Sequence, residues 1–120
     1  MGTRSFQKDG KTTMTDVRPW QVRRVWFPFR ENPNKGKNRR VVVKEVTDDN
    51  CVVIYVTSKV EKSNFPDFML LKDWNEEGFD RASAVRWNRL LKVPISALGE
   101  HLGDLSPYDR LELQMRYQFR

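Results

Sequence analysis

Two arginines and two hydroxyl side chains stand at the ends of neighbouring apolar runs in this 120-residue chain. Arg39 and Arg40 begin the run RRVVVKEV, and Thr57 and Ser58 end the run CVVIYVTS. A guanidinium group has a fork of donors that fits the oxygens of a phosphate, and it stays charged at physiological pH. A hydroxyl group can donate a hydrogen bond to the same oxygens. Brought together, these side chains would therefore bind and stabilise an anionic, phosphate-like group.

The two runs are predicted to pair as an antiparallel hairpin. Both are rich in β-branched residues and almost continuously apolar, which is typical of central, buried strands. The segment TDDN, residues 47–50, supplies the turn between them. This turn places Arg39 opposite Ser58. It places Arg40 opposite Thr57, with room for a register slip of about one or two residues. The hairpin would then collect the guanidinium and hydroxyl groups at its open end.

The remaining patterns predict a mainly β (α+β) fold, a small curved sheet of about five to seven mostly antiparallel strands with a C-terminal helix. Residues 20–29 and 83–93 are further strand candidates, although a helix is the rival interpretation for 83–93. The run 68–74 is ambiguous but short enough for a strand. The connecting segments are predicted as a loop at 30–38, a turn or a single helical turn ending at Gly78 within 75–81, and a short helical turn at 95–103.

Residues 105–119 carry the clearest helix signals. Ser106 is the predicted N-cap, Pro107 is the first helical residue, and Asp109 completes a capping-box-like pattern with a shorter acid. The helix is predicted to bury a broad apolar face, which consists of Leu111, Leu113, Met115 and Tyr117.

The composition indicates one globular domain without a metal or a cofactor. Residues 1–17 are polar and aperiodic and are predicted to be a flexible segment, and 18–120 are predicted to form a single domain. Cys51 is the only cysteine and lies in an apolar run, so a buried, inert thiol is expected. His101 is the only histidine, so no Cys/His cluster exists for a transition metal. No run approaches the ~20 apolar residues that span a bilayer, and no signal peptide is visible, so a cytoplasmic protein is expected.

Basic residues are concentrated in one part of the chain. The net charge is +6, and the stretch from Arg18 to Lys44 contains nine basic residues and one acid. The stretch 45–80 reverses this balance, with nine acids and three lysines. Such a separation predicts a basic face and a polyanionic partner, with a solvated surface that has no partner as the alternative.

From about Val22 to Leu113, the chain resembles the MazF/PemK toxins of bacterial type II toxin–antitoxin systems. The segment VWFPF is similar to the family's first strand, KNRRVVV to its Lys-x-Arg-Pro-Val-hydrophobic run, and VIYVTSK to the strand that ends in Thr-Ser. LLKDWNEEGFDRASAVRWNRLLKVP and LGEHLGDLSPYDRLELQ resemble its closing segments. The ordered set of motifs carries the resemblance, rather than any single motif.

The resemblance implies an SH3-like β-barrel homodimer that cleaves single-stranded RNA without a metal. The 2′-hydroxyl attacks the adjacent phosphate and leaves a cyclic phosphate and a 5′-hydroxyl. The family's catalytic arginine corresponds to Arg39 and its threonine to Thr57, with Arg40 and Ser58 as supporting candidates. Arg40 occupies the usual position of a proline, which leaves the choice between the two arginines open. The implied partners are RNA and a cognate antitoxin protein.

A second group of residues is predicted to line an RNA groove, where phosphate contacts would depend on salt. Its basic members are Arg23, Arg24, Arg30, Lys35, Lys37 and Lys59, and a solvated charge cluster is the alternative interpretation. The resemblance adds Ser83 and Arg86, which fall near a position that contacts RNA or the partner in this family. Trp26, Phe27 and Phe29 fit either base stacking or core packing, and core packing is favoured. The rival function is a non-catalytic SH3-like module that binds nucleic acid or protein. A third interpretation is an interaction protein with no RNA partner.

Overall fold

A computed structural model describes residues 16–62 and 66–119 of the chain. Its strands and α-helix are, in order, β1 Gln21–Pro28, β2 Gly36–Val46, β3 Asn50–Thr57, β4 Phe68–Leu70, β5 Ala84–Pro94, β6 Leu98–Asp104 and α1 Pro107–Phe119. Of the segment predicted to be flexible, residues 1–15 lie outside the described part. Val17, at the end of that segment, is buried in the core.

All six strands of the described residues belong to one antiparallel sheet, in the order β4-β5-β3-β2-β1-β6. β2 and β3 are central, as their apolar runs predict. The predicted class, mainly β (α+β) with a C-terminal helix, is therefore confirmed. Within the described residues no ladder joins β4 to β6, so backbone pairing leaves the sheet open.

The central strands are buried on both faces of the sheet. Val41 and Val43 of β2 belong to one apolar cluster, whereas Val42 belongs to a second cluster with Ile54 of β3. The second cluster also contains Leu113 of α1, so the helix covers that face. Successive strand residues point to opposite faces, and a strand covered on both sides has no position where a polar side chain is favoured. This explains why the apolar runs are nearly continuous.

The predicted hairpin of β2 and β3 is confirmed at its turn. The Thr47 N–H donates to the Asn50 carbonyl at 2.8 Å. A bulge between Val43 and Glu45 then shifts the register by one residue. The extra residue in β2 has no partner on β3, which bends the strand and increases its twist.

The predicted pairing of Arg39 with Ser58 and of Arg40 with Thr57 is wrong. The ladder between β2 and β3 ends at Val41, so neither arginine has a backbone partner on β3. Two causes combine, because the bulge changes the register and the strands then separate before the arginines are reached. The position of the arginines and hydroxyl residues at this end of the hairpin was predicted correctly, but their pairing was not.

Of the two predictions for the later part of the chain, the strand over 83–93 is confirmed and the helical turn over 95–103 is mostly wrong. Residues 83–93 form most of β5, which pairs with both β3 and β4, so the helical alternative is wrong. The helical turn predicted over 95–103 is wrong beyond Ala97, because the chain from Leu98 onward pairs with β1. An isolated helical turn is marginal in water, whereas the edge of β1 offers a row of backbone partners.

The turn after β4 depends on a glycine, as predicted. Gly78 has a φ of 100°, a conformation that side chains other than glycine rarely adopt. A Cβ at this position would also lie 2.7 Å from the Leu102 carbonyl oxygen of β6. This turn is therefore pressed directly against the edge of the sheet.

The predicted N-cap of α1 is confirmed, but the capping box is completed by a distant residue. Ser106 Oγ accepts the Asp109 N–H at 3.1 Å. The Asp109 carboxylate does not return the bond to Ser106. Instead, the Ser106 N–H donates to Glu77 Oε2 at 2.7 Å, so the turn after β4 supplies the reciprocal acceptor.

The helix buries a narrower apolar face than predicted. Leu113 is fully buried and Tyr117 is half-buried, whereas Leu111 and Met115 are exposed. Only the stripe over the second apolar cluster contacts the sheet, so the prediction is wrong for the other stripe. No helix among the described residues has both the length and the apolar character needed to traverse a bilayer.

Candidate functional site: a cationic cleft between separating strands

A cleft opens at the end of the hairpin, where β2 and β3 stop pairing. Beyond the Val41–Tyr55 pair, Arg40 remains paired with β1 and Thr57 with β5. Each half of the hairpin therefore follows a different neighbouring strand, and the two ends separate. The space between them is a cleft of about 440 Å³.

The cleft lining is strongly cationic. In the described part of the chain, five basic side chains and one acid, Asp80, line it. The basic residues are Lys37, Arg39, Arg40, Lys59 and Arg81. Seven residues that the sequence predicted as site residues are in this lining, namely Lys37, Arg39, Arg40, Thr57, Ser58, Lys59 and Ser83. A cavity with this charge balance attracts an anion and disfavours a cation.

Arg39 and Arg40 differ in how their guanidinium groups are held. Arg40 Nε donates to the Gly78 carbonyl at 2.9 Å, and Arg40 Nη1 lies 3.6 Å from Asp80 Oδ1. Arg39 is exposed, and within residues 16–62 and 66–119 its guanidinium has no hydrogen bond or ion pair. Arg40 therefore ties β2 to the turn after β4, whereas Arg39 presents a free fork of donors to a ligand. This difference favours Arg39 as the functional arginine.

The hydroxyl groups at the end of β3 are also distinguishable. Thr57 Oγ1 accepts the Lys59 N–H at 3.1 Å, which fixes a half-buried hydroxyl beside the cleft. This bond uses an oxygen lone pair, so the hydroxyl hydrogen remains available for donation. Ser58 is exposed, and its hydroxyl makes no hydrogen bond to any other described residue. Thr57 is thus the better positioned donor.

The remaining wall of the cleft is formed by residues 79–83, of which the sequence had indicated only Ser83. Arg81 adds an exposed guanidinium, with its Nε 3.7 Å from Asp80 Oδ1. Ser83 is 4% exposed, and its hydroxyl donates to the Arg81 carbonyl at 2.9 Å, so it shapes the turn. No local pattern could place this segment in the site, because it reaches the cleft through the connection between β4 and β5.

The burial and hydrogen bonds of Arg23 contradict its predicted role in RNA binding. It is 4% exposed, and its guanidinium donates to Gln21 Oε1 at 3.1 Å, the Gly99 carbonyl at 2.9 Å and the Asp16 carbonyl at 2.8 Å. Burial lowers the pKa of this guanidinium, and the nearby Asp16 carboxylate opposes the shift. Arg23 is therefore a structural residue, which ties the chain before β1 to β6.

Four more predicted RNA-binding residues lie outside the cleft. Arg86 donates through Nε and Nη2 to Asp67 Oδ2, at 3.1 and 2.9 Å, and stacks on the Phe68 ring. Arg24 forms an ion pair with Glu100 at 2.8 Å. The other two are exposed in the loop between β1 and β2, namely Arg30 and Lys35. None of the four lines the cleft, and their predicted role in RNA binding stays a prediction.

An exposed indole lies beside the cleft. Core packing was favoured for Trp26, Phe27 and Phe29, but this is right only for Phe27, since Trp26 is 49% exposed and Phe29, which follows β1, is also exposed. Trp26 lies opposite Asn38, which lines the cleft. Gly36 makes room for the indole, since a Cβ there would lie 2.7 Å from Trp26 Cζ2. A flat aromatic surface is therefore available next to the cations.

The single cysteine and the single histidine are not part of the cleft lining. Cys51 is buried, as predicted, and desolvation raises the pKa of its thiol. His101 lies on β6, where its Nε2 is 3.2 Å from Asp104 Oδ1. Neither side chain is placed to act on a ligand in the cleft.

No known protein family and no curated protein matches the chain. A function must therefore be argued from the geometry and charge of the cleft.

Proposed function

We propose that the protein is a metal-independent endoribonuclease that cleaves single-stranded RNA in the cationic cleft. The observation that carries the proposal is the unengaged guanidinium of Arg39 in the same cleft as the donor hydroxyl of Thr57. Five basic side chains against one carboxylate favour a polyanionic ligand. The resemblance to MazF/PemK toxins, which points to the same two residues, also supports the proposal.

In-line cleavage of RNA forms a bond between the 2′-oxygen and phosphorus and breaks the bond between phosphorus and the 5′-oxygen. The 2′-hydroxyl loses a proton and the leaving 5′-oxygen gains one, so the products are a 2′,3′-cyclic phosphate and a 5′-hydroxyl. Negative charge increases on the non-bridging oxygens in the transition state. The fork of Arg39 and the O–H of Thr57 are donors suited to these oxygens, and such stabilisation is often the largest contribution to catalysis.

A non-catalytic RNA-binding module is the second candidate, and one observation favours it. Among the residues that the structure describes, Asp80 is the only carboxylate in the lining, and it lies between Arg40 and Arg81. A carboxylate engaged by two guanidinium groups is poorly placed to take a proton from a 2′-hydroxyl. The nuclease would have to transfer that proton through water, whereas binding alone needs only the cations.

The proposal includes two protein partners. A second copy of the chain would form a homodimer, and this is supported by an exposed apolar stripe on α1. The stripe consists of Tyr108, Leu111, Met115 and Phe119. A cognate antitoxin with an acidic, partly disordered tail would bind the cationic cleft and block it. Action on cellular RNA would place the protein in the cytoplasm, where uncontrolled cleavage would inhibit growth.

Trp26→Ala is expected to weaken RNA binding about tenfold, because a base stacked on an aromatic side chain contributes about 1–3 kcal/mol. Fluorescence anisotropy with a short, labelled single-stranded RNA measures the dissociation constant. Leu90→Ala is the control, since it removes an exposed apolar side chain of β5 that does not line the cleft. If Trp26→Ala binds as tightly as the wild type, the indole is not part of the binding surface.

The direct test of the function is to incubate single-stranded RNA with the protein in EDTA and to identify the ends of any fragments. We expect fragments that carry a 2′,3′-cyclic phosphate and a 5′-hydroxyl. Intact RNA that binds the protein with a strong salt dependence would instead establish the binding module. If the RNA is neither cleaved nor bound, both candidates are eliminated.

A further inference from the structure

Two buried acidic side chains meet behind the cleft wall. Glu77, in the turn after β4, is 1% exposed, and Asp109, in the first turn of α1, is fully buried. The Asp109 carboxylate accepts the N–H groups of Lys72 and Asp73 at 3.0 and 2.9 Å. Glu77 Oε2 accepts the Ser106 N–H at 2.7 Å, but Glu77 Oε1 is buried without a donor.

No cationic side chain neutralises these acids within the part of the chain that the structure describes. Asp73 adds a third carboxylate, and oxygens of all three lie within 4.8 Å of one another. Lys72 lies on the same turn, but its Nζ is placed over the Tyr108 ring, 4.5 Å from the centroid. β6 meets the turn at Leu102 and Gly103, neither of which carries a charge. The negative charge of these carboxylates must therefore be reduced in another way.

A proton satisfies this requirement. Two ionised carboxylates at this depth would repel each other and would lack solvation. A proton on one of them removes the repulsion and supplies the hydrogen bond that Glu77 Oε1 lacks. Asp109 lies in the first turn of α1, at the positive end of the helix, and accepts two backbone N–H groups from the turn after β4, whereas Glu77 accepts one, so the negative charge is more stable on Asp109. Desolvation and a hydrogen bond with Asp109 accordingly raise the pKa of Glu77 to about 8.

We propose that Glu77 is protonated in the folded protein and that its hydrogen bond to Asp109 is a proton-dependent latch between α1 and the cleft wall. The latched turn leads into Gly78, whose carbonyl holds Arg40, and then into the cleft-lining segment 79–83. Loss of the proton leaves two facing carboxylates, which separates the turn from α1 and loosens that wall. The latch does not depend on what the cleft binds.

The sign of the pH dependence follows from the two states of Glu77. The folded protein binds a proton with a pKa of about 8, whereas the unfolded chain releases it near the usual 4.5. The stabilisation is therefore complete below the unfolded value and is lost as the pH rises through the folded value. Between these values the folded state holds one more proton than the unfolded state, so the folded-to-unfolded ratio falls about tenfold for each unit by which the pH rises.

Urea unfolding of the full chain across this pH range tests the latch, with Glu77→Gln as the decisive variant. A glutamine resembles the protonated acid at every pH, since its oxygen can accept the Ser106 N–H and its amide can donate to Asp109. We expect the wild type to lose stability steeply with rising pH. Glu77→Gln should lose much less and should be more stable than the wild type at the alkaline end. Glu76→Gln, at an exposed position in the same turn, should keep the wild-type profile.

Identical pH profiles for the wild type and Glu77→Gln would overturn the latch. A variant less stable than the wild type throughout the range would also overturn it, because the folded protein would then need an ionised Glu77. If the variant does not fold, ¹³C NMR titration of the glutamate carboxyl groups in the wild type decides the question. One carboxyl that titrates far above the others supports the latch, and ordinary titration of all of them refutes it. Because no RNA is present, these results are independent of the proposed nuclease.

Discussion

Arg39→Ala is expected to slow RNA cleavage about 10²–10³-fold while the protein remains folded. Arg39 is exposed and has no hydrogen bond or ion pair to the other described residues, so its removal leaves no partner unsatisfied. In the proposed reaction its fork contacts the phosphate oxygens on which charge develops, and loss of one such donor typically costs about 10²–10³ in rate. Cleavage rates at saturating protein concentration measure the effect, and circular dichroism verifies the fold.

Two further arginine variants separate this role from a general effect of charge. Arg30→Ala removes an exposed cation outside the cleft and should cleave at nearly the wild-type rate. Arg39→Lys keeps the charge but loses the planar fork, so it should recover only part of the rate. If Arg39→Ala cleaves RNA at the wild-type rate, Arg39 is excluded from the reaction. A loss of RNA affinity with an unchanged rate at saturating protein would make it a binding residue only.

Arg23→Met is expected to lower the free energy of unfolding by about 3 kcal/mol, with little effect on the RNA affinity of the folded protein. Methionine keeps much of the packing of the arginine stem but removes every donor. The carbonyls of Gly99 and Asp16 then lose their guanidinium partner, and an unsatisfied buried acceptor costs about 1–3 kcal/mol. Urea unfolding and RNA titration of the same sample measure the two quantities.

Arg24→Met is the matched control for this prediction. Arg24 is the next residue along β1, but its side chain is 41% exposed and pairs with Glu100 at the surface. Exposed ion pairs contribute about 0–1 kcal/mol, so this variant should unfold almost as the wild type does. If Arg23→Met instead weakened RNA binding at unchanged stability, the structural role of Arg23 would be refuted.

Most elements of the sheet could be predicted because their signals are local. The apolar runs of β2 and β3, the turn that joins them and the Ser106 cap of α1 each involve residues that are close along the chain. The segment 95–103 was misread for the opposite reason. Its cap-like and stop-like residues indicate a helical turn, but pairing with the distant strand β1 is decisive.

The candidate site could be predicted only in part. Arg39 and Thr57 were expected to meet because one hairpin turn brings both strand ends to the same place, and both line the cleft. The bulge that shifts the hairpin register has no clear signal in the residue types. Asp80 and Arg81 were not predicted, because they reach the cleft through a different connection. The buried pair of Glu77 and Asp109 likewise joins segments far apart in sequence.

By itself, the sequence determined the basic character of the chain, the central hairpin and the capped helix, since these depend on composition and on neighbouring residues. Only the tertiary structure decided which arginine of each adjacent pair lies at the surface. Arg23 is held by the Gly99 carbonyl and Arg40 by the Gly78 carbonyl, whereas Arg24 and Arg39 lie at the surface. Two adjacent arginines are chemically identical, and the acceptors that distinguish them come from distant segments, whose positions depend on the packing of the whole sheet.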